Sequence, residues 1–289
     1  MLTYKVLCVR MFHVRTMTEE DLPFAVQITA ERGWELADDD FKFMMELEPE
    51  GCLVLLDGLE RIGLATNVAY GKIAWFGNLI VSQKHRNRGA GSLLVRHSIE
   101  YQTRQKAETV GLYAYVERIP FYTRLGFAYD SDFIVLTGKG FSARPKPNVR
   151  PAKGTEISKI INHDRACFGA SRRKLLEPIL LDPDNLCYVA HEKDKMIGYA
   201  LAKVYRGVAE LGPLACPSGR NDIAADLLEA ILSRLKGVEA TMIAPRKETA
   251  ILNMLTKNGF NERFQVARMF HGPLIADRCI CMAESLERG

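Results

Sequence analysis

Residues 79–91 read Leu-Ile-Val-Ser-Gln-Lys-His-Arg-Asn-Arg-Gly-Ala-Gly. A short apolar run ends in a basic, glycine-bearing turn, and a helix-forming segment follows. That order builds an anion seat. Gly89 and Gly91 let the backbone come close to a ligand, and the first amides of a helix point outward without partners inside it. The helix dipole adds partial positive charge at the same end. Lys84, Arg86 and Arg88 stand beside it. The guest this turn suits is a ligand carrying a pyrophosphate.

Several glycine-rich anion loops are known. A Walker loop needs G-x-x-x-x-G-K-[ST], which is absent, and a dinucleotide fingerprint G-x-G-x-x-G is broken by Ser92 and Leu94. What remains is R-x-x-G-x-G, from Arg86 through Gly89 to Gly91. It resembles motif A of the GCN5-related N-acetyltransferase (GNAT) superfamily, whose loop holds the pyrophosphate of acetyl-coenzyme A. Taken alone, the same stretch also reads as a basic surface turn. A second stretch, Pro120-Phe121-Tyr122-Thr123-Arg124-Leu125-Gly126-Phe127, resembles the superfamily's motif B, Y-x-x-x-G-F. Its residues read as a short helix closed by a left-handed glycine, with Tyr122 a packed aromatic. Both motifs stand in the family's order, one helix and one strand apart, and the resemblance covers residues 11–138.

These motifs need a scaffold. Residues 12–17 read as a strand, and Thr18 as the cap of a helix over 21–32 with Glu19, Glu20 and Asp21 in its first turn. Strands are expected over 53–56 and 62–70 around the turn Asp57-Gly58, and over 73–81, feeding the basic turn. A long helix over 89–106 carries Ala90, Leu93, Leu94, His97 and Tyr101 near one face. Strands over 109–116 and 127–136 follow. The layout is α/β, a mixed sheet with helices on both sides. The family fold implied is the acyl-CoA N-acyltransferase one, with a mixed, mostly antiparallel sheet. Residues 139–153 are rich in Gly, Pro, Lys and Arg and read as a linker.

Beyond the linker the pattern restarts. Met196-Ile197-Gly198-Tyr199-Ala200 echoes Arg61-Ile62-Gly63-Leu64-Ala65 at an offset of 135, and Thr256 to Phe260 echoes Thr123 to Phe127 at 133. Leu214-Ala215-Cys216-Pro217 stands for Ile80-Val81-Ser82-Gln83 at 134. Three landmarks at nearly one offset imply a duplicated domain. A helix over 223–236 supports it, with Ala224, Leu227, Leu228, Ile231 and Leu235 on one stripe. The expected organisation is a first domain over 11–138, a linker over 139–153, a second domain over 154–273 and a tail over 274–289. The second copy departs from motif A. Arg220 matches Arg86, but Ile223 and Ala225 replace Gly89 and Gly91, and Leu255 replaces Tyr122. An isoleucine there is expected to obstruct a phosphate. The chain thus resembles tandem family members with a degenerate second domain, whose roles would be to cover the first sheet, shape the acceptor pocket or bind something else.

Moving an acetyl group from a thioester to an amine requires holding the donor, stabilising charge on the thioester oxygen, removing a proton from the amine and protonating the thiolate. The resemblance implies that Leu79, Ile80 and Val81 contact the pantetheine arm and that Arg86, Asn87, Arg88, Gly89, Ala90, Gly91 and Ser92 hold the pyrophosphate. An amide near Leu79 or Ile80 would donate to the thioester oxygen. Tyr122 would stand near the sulfur. A phenol near pKa 10 can protonate a thiolate whose thiol lies near 8.5, mildly uphill. Glu117, after the strand that precedes motif B, is the base to test first, against the alternative of a solvated or helix-start carboxylate. Gly33-Trp34-Glu35 and Asp38-Asp39-Asp40 resemble an E-x-G-W segment of one branch of the superfamily, in a loop that borders the acceptor. Trp34 would wall that pocket and an aspartate such as Asp39 would hold a cationic amine. Otherwise they are a packed indole and helix caps, with Asp40 an N-cap.

The hydrophobic fraction of 47% and charged fraction of 26% are ordinary for a globular chain, and 289 residues suit two domains. A net charge of +4 does not demand nucleic acid. Seven scattered cysteines, an odd number with only Cys279 and Cys281 close, favour reduced thiols in a cytoplasm. The histidine and cysteine spacings suggest no metal. No run is apolar enough to cross a membrane, and Lys5, Arg10 and His13 interrupt any signal-peptide pattern in residues 1–14. The leading expectation is a cytoplasmic N-acetyltransferase using acetyl-coenzyme A on an amine acceptor, a small molecule before a protein, as a monomer or homodimer. The alternative is a non-catalytic acyl-coenzyme A sensor or partner-binding module.

Overall fold

The computed structural model describes residues 12–276 and 278–289. Residues 1–11, with Met11 at the expected start of the first domain, and Asp277 in the expected tail lie outside that description. The chain divides into two compact units, one of residues 12–68 with Phe76–Arg104, the other of Ala69–Trp75 with Gln105–Gly289.

The first unit contains β1 (Phe12–Thr16), α1 (Leu22–Ala30), α2 (Asp38–Leu47), β2 (Cys52–Asp57), β3 (Glu60–Ala69, its last residue in the other unit), β4 (Ile73–Val81, from Phe76 on) and α3 (Ala90–Arg104). The strands follow the order β1-β2-β3-β4, with Val14 opposite Leu55 and Val54 opposite Leu64 in antiparallel pairs. Every residue of β2 is buried. Its side chains and those of α1, α2 and β3 form a core of Leu22, Ala25, Ile28, Phe41, Met44, Val54 and Leu64, which Ile80 of β4 joins.

Local details differ from the sequence reading. Thr18 does not cap α1 directly. It opens a single 3-10 turn, Glu19–Asp21, and Asp21 accepts the Thr18 amide at 2.8 Å. Asp40 is not an N-cap either. The cap is Ala37, and the Asp40 carboxylate reaches back to its amide at 2.8 Å. The longer aspartate run is simply the first turn of α2, where carboxylates face the helix dipole favourably.

The second unit contains β5 (Thr109–Tyr115), α4 (Ile119–Thr123), β6 (Ala128–Lys139), β7 (Val149–Pro151), α5 (Ile157–Phe168), α6 (Arg173–Leu181), β8 (Leu186–Glu192), β9 (Lys195–Tyr205), β10 (Val208–Pro217), α7 (Asn221–Arg234), β11 (Glu239–Pro245), α8 (Thr249–Lys257), β12 (Asn261–His271) and β13 (Cys279–Met282). Its sheet runs β5-β12-β6-β11-β10-β9-β8-β7, with β13 on β10 and the first three residues of β4 parallel to β5. Among the described residues, β4 with β5 and β10 with β11 are parallel pairs. The expected linker is not bare: Val149–Pro151 form β7 against β8.

The strand order carries the duplication further than the sequence did. β6 and β12 are the last strands of the two sequence copies, and they are exchanged. β6 of the first copy pairs with β11 of the second, from Glu239↔Lys139 to Pro245↔Phe133. β12 of the second copy pairs with β5 of the first, from Val266↔Tyr115 to His271↔Val110. The two exchanged strands also pair with each other.

Cys167 of α5 and Cys279 of β13 form a disulfide, which corrects the expectation that all the cysteines are reduced thiols. The two are 112 residues apart, so spacing gave no hint of the pair.

Candidate active site

The basic turn lies in the first unit. β4 delivers Leu79 half-buried and Ile80 and Val81 buried. The Ser82 amide donates to Ile62 at 2.7 Å, and a 3-10 turn, Gln83–His85, reverses the chain. Ser82 Oγ and His85 Nδ1 lie 2.7 Å apart, and His85 Nε2 is 3.6 Å from Asp57 Oδ2. These contacts set the turn against the end of β2. Arg86 Nε donates to the Val81 carbonyl at 3.0 Å. Asn87 and Gly89 both have left-handed backbone, φ +61° and +83°. Asparagine and glycine are the residues that tolerate this region. The first bond back into α3 runs from the Leu93 amide to Gly89 at 2.9 Å. The amides of Ala90, Gly91 and Ser92 precede it and have no partner within the helix. Arg88 is exposed, over the Phe12 ring at 5.3 Å and 3.9 Å from Asp57. An ideal Cβ at Gly89 would meet no atom within 4 Å. The turn therefore presents amides, an anchored arginine and open space to an anion.

Trp34 sits in the turn between α1 and α2, its amide on the Thr29 carbonyl at 3.1 Å, and its half-buried ring packs on the cluster that contains Ile80. Asp39 is exposed in the first turn of α2, 4.0 Å from Lys42.

Tyr122 and Glu117 belong to the second unit. Tyr122 is buried in α4, its ring edge-on to Phe121 at 5.0 Å and to Phe127 at 5.7 Å. Burial raises its pKa, with Arg118 opposing. The helix ends as expected: Gly126 is left-handed at φ +90°, and the Phe127 amide returns to the Tyr122 carbonyl at 3.1 Å. Glu117 is exposed in the single turn Val116–Arg118.

The second copy repeats the frame and loses the turn. Gly259 is left-handed at φ +87°, and Phe260 donates to Leu255 at 3.1 Å, as Phe127 does to Tyr122. At the turn, however, α7 already begins at Asn221, the counterpart of Asn87, and Ala224 donates to Arg220 at 3.1 Å. Helix has replaced loop. Arg220 is held by Glu192 at 2.6 Å and Asp222 at 2.7 Å. Ile223 is buried in the core of this unit, which corrects the expectation that its side chain blocks a phosphate. The second copy thus lacks the loop, and the Asp222 carboxylate stands in the first turn of its helix.

Two family models, each described as an acetyltransferase (GNAT) domain, match residues 48–129 and 160–279. The chain belongs to the GCN5-related N-acetyltransferase family. Among its relatives, the uncharacterized N-acetyltransferase YitH of Bacillus subtilis is 22% identical over 88% of this chain and 89% of that protein. A holothin acyltransferase of a Pseudoalteromonas species is 25% identical over 83% and 81%. A candidate acetyltransferase of Pyrococcus horikoshii superposes with a TM-score of 0.78 at 20% identity, over 100% of this chain and 99% of that one. A GCN5-related N-acetyltransferase of Sphaerobacter thermophilus does so at 0.67 and 16%, over 91% and 97%.

Proteins of the GNAT fold use acetyl- or acyl-coenzyme A as donor, and this chain carries two such domains, the second without the glycine-bearing turn. One feature of its first GNAT domain escaped the sequence reading. Asn78 has φ +51°, a left-handed residue inside β4, and its Nδ2 donates to Thr66 Oγ1 at 3.3 Å. Such a residue breaks the pleat and re-aims the backbone that follows, here Leu79 and Ile80. The signal for a left-handed residue was present, in the pair Gly77-Asn78 within an apolar strand. Among the described residues, no helix is long and apolar enough to cross a membrane.

Proposed function

We propose that this chain transfers an acetyl group from acetyl-coenzyme A to a primary amine, with a small-molecule acceptor. The observation that carries the reading is the turn ahead of α3, where two left-handed residues and the Arg86–Val81 bond leave a cluster of amides open to a diphosphate. The amides of residues 89–92 and the Arg86 and Arg88 guanidiniums take the pyrophosphate. Leu79, Ile80 and Val81 take the pantetheine arm, and the amide at Leu79 or Ile80, just past the left-handed Asn78, donates to the thioester oxygen as charge develops.

Tyr122 supplies the proton for the departing thiolate. Burial raises its pKa, so the phenol is protonated at neutral pH and proton transfer to the thiolate is more uphill than for a free phenol. Glu117 is the carboxylate assigned to remove the amine proton, directly or through water. An amine with a reference pKa of about 10.4 has to lose it before attack. Trp34 offers a flat apolar wall and Asp39 a negative charge for the acceptor.

The test is coenzyme A thiol release from acetyl-coenzyme A across a panel of small amines. Turnover is expected on at least one acceptor. Arg86→Ala should raise KM for acetyl-coenzyme A roughly 10- to 100-fold, the loss of one charged hydrogen bond of about 1.5–3 kcal/mol. Tight coenzyme A binding without thiol release on any amine would overturn the enzyme reading in favour of a sensor.

A further inference from the structure

β10 and β11 are the parallel pair of the second copy. They pair from Val208↔Glu239 to Leu211↔Met242 and then part. Into the gap comes β13. It lies antiparallel on β10, with Leu214↔Met282, Ala215↔Cys281, Cys216↔Ile280 and Pro217↔Cys279. On its other side, the Ala283 amide donates to the Ile243 carbonyl of β11 at 3.1 Å. At the repeat offset of 134, Leu214–Pro217 correspond to Ile80–Gln83, where the strand assigned to the pantetheine arm ends. The β10 edge that an extended ligand would use is thus already paired.

We propose that β13 is the resident occupant of the second copy's cofactor gap, so that the chain takes up a single acyl-coenzyme A, in its first copy. The proposal rests on the donor site assigned above. Ile280 and Met282 belong to the second copy's core with Leu214, Cys216 and Leu227. Gly212 makes room for the strand's exit, since a Cβ there would lie 2.0 Å from the Ala283 carbonyl oxygen. The segment is tied at both ends. Cys279 is bonded to Cys167, and buried Glu284 is gripped by Lys203 at 2.6 Å and Arg288 at 2.8 Å. Beside the strand, a cavity lined by Cys279, Cys281, Met282 and Ala283 holds about 40 Å³. A ligand pocket typically needs about 300–1,000 Å³. The helix start that would complete a second site carries Asp222, which repels a phosphate.

Calorimetric titration of the full chain with acetyl-coenzyme A, paired with deuterium exchange of residues 279–282, tests this. One equivalent should bind. The β13 amides should exchange as slowly as those of β10, with and without saturating ligand. Binding should disappear in the double variant Arg86→Ala, Gly89→Val. A second equivalent, one-to-one binding that survives in that variant, or fast exchange of 279–282 in either state would overturn the proposal. Absence of any binding to the unaltered chain would instead sink the donor-site reading, and the exchange of β13 would still report on the gap.

Discussion

Arg15 and Arg150 hold corresponding carboxylates in the two copies. Arg15 grips Asp21 at 2.6 and 2.8 Å and donates to the carbonyl of Thr16. Arg150 grips Glu156 at 2.8 and 2.9 Å and donates to the carbonyl of Pro151. Both carboxylates also accept an amide three residues earlier, from Thr18 and Lys153. Burial pushes the Asp21 pKa upward, but bonds from Arg15, Arg61 and the Thr18 amide outweigh it and hold the carboxyl well below its usual range. For Glu156 the Arg150 bonds lead, and the carboxyl is held at about 2 against an ordinary 4.5. A depressed folded pKa gives stability that is present above the unfolded value and lost as pH falls through the folded one. The Glu156 contribution therefore fades between about pH 4.5 and 2. Asp21→Asn should cost about 2 kcal/mol at neutral pH in denaturant unfolding. The gap to the parent chain should narrow below about pH 4, where unfolded aspartates protonate. At Tyr122 the expected outcome concerns rate. Tyr122→Phe should lower kcat about 100-fold with KM for acetyl-coenzyme A nearly unchanged, the signature of a lost general acid. A phenol that only fills space among Phe121 and Phe127 would leave kcat where it was.

At the scale of elements, the turn between β4 and α3 is set by backbone conformation more than by side-chain fit. Gly89 stands at φ +83° in open space, so adding a Cβ meets no neighbour and strains only the backbone. Gly89→Ala should raise KM for acetyl-coenzyme A roughly 10-fold, as a strain of about 1–2 kcal/mol reshapes the loop. Gly89→Asn should do less harm, because asparagine visits this region more readily. If both variants behave like the parent, the loop geometry is not what holds the donor. The same turn shows what local sequence can reveal. β4 begins and ends where hydrophobic patterning put it, and α3 falls one to two residues inside its expected bounds. Those signals are short-range. Left-handed Asn78 and the contacts linking Ser82, His85 and Asp57 were missed. The first sits inside an apolar strand pattern, and the second joins residues brought close only by the pairing of β2, β3 and β4.

At the scale of the molecule, the exchanged strands make the two sequence copies interdependent. β5 has β12 as its antiparallel partner, and β6 is flanked by β11 and β12. A chain ending at residue 148 would leave these edges unpaired, exposed and prone to aggregate. Expressed alone, it should lack a cooperative thermal transition, and co-expression with residues 149–289 should restore one. An independently folding half would mean that the exchange is dispensable. The amino-acid sequence by itself determined the duplication, the glycine-bearing turn, the capped helix of Tyr122 and the loss of the turn in the second copy. All of these are written in residues a few positions apart, or in a repeat that alignment of the chain with itself exposes. Tertiary structure alone decided which copy each final strand pairs with, where β13 lies and which cysteines join. A strand's pattern of alternating side chains states that it will pair and which face it buries. It does not name the partner, because the backbone hydrogen bonds offered by β5 and β11 are chemically the same.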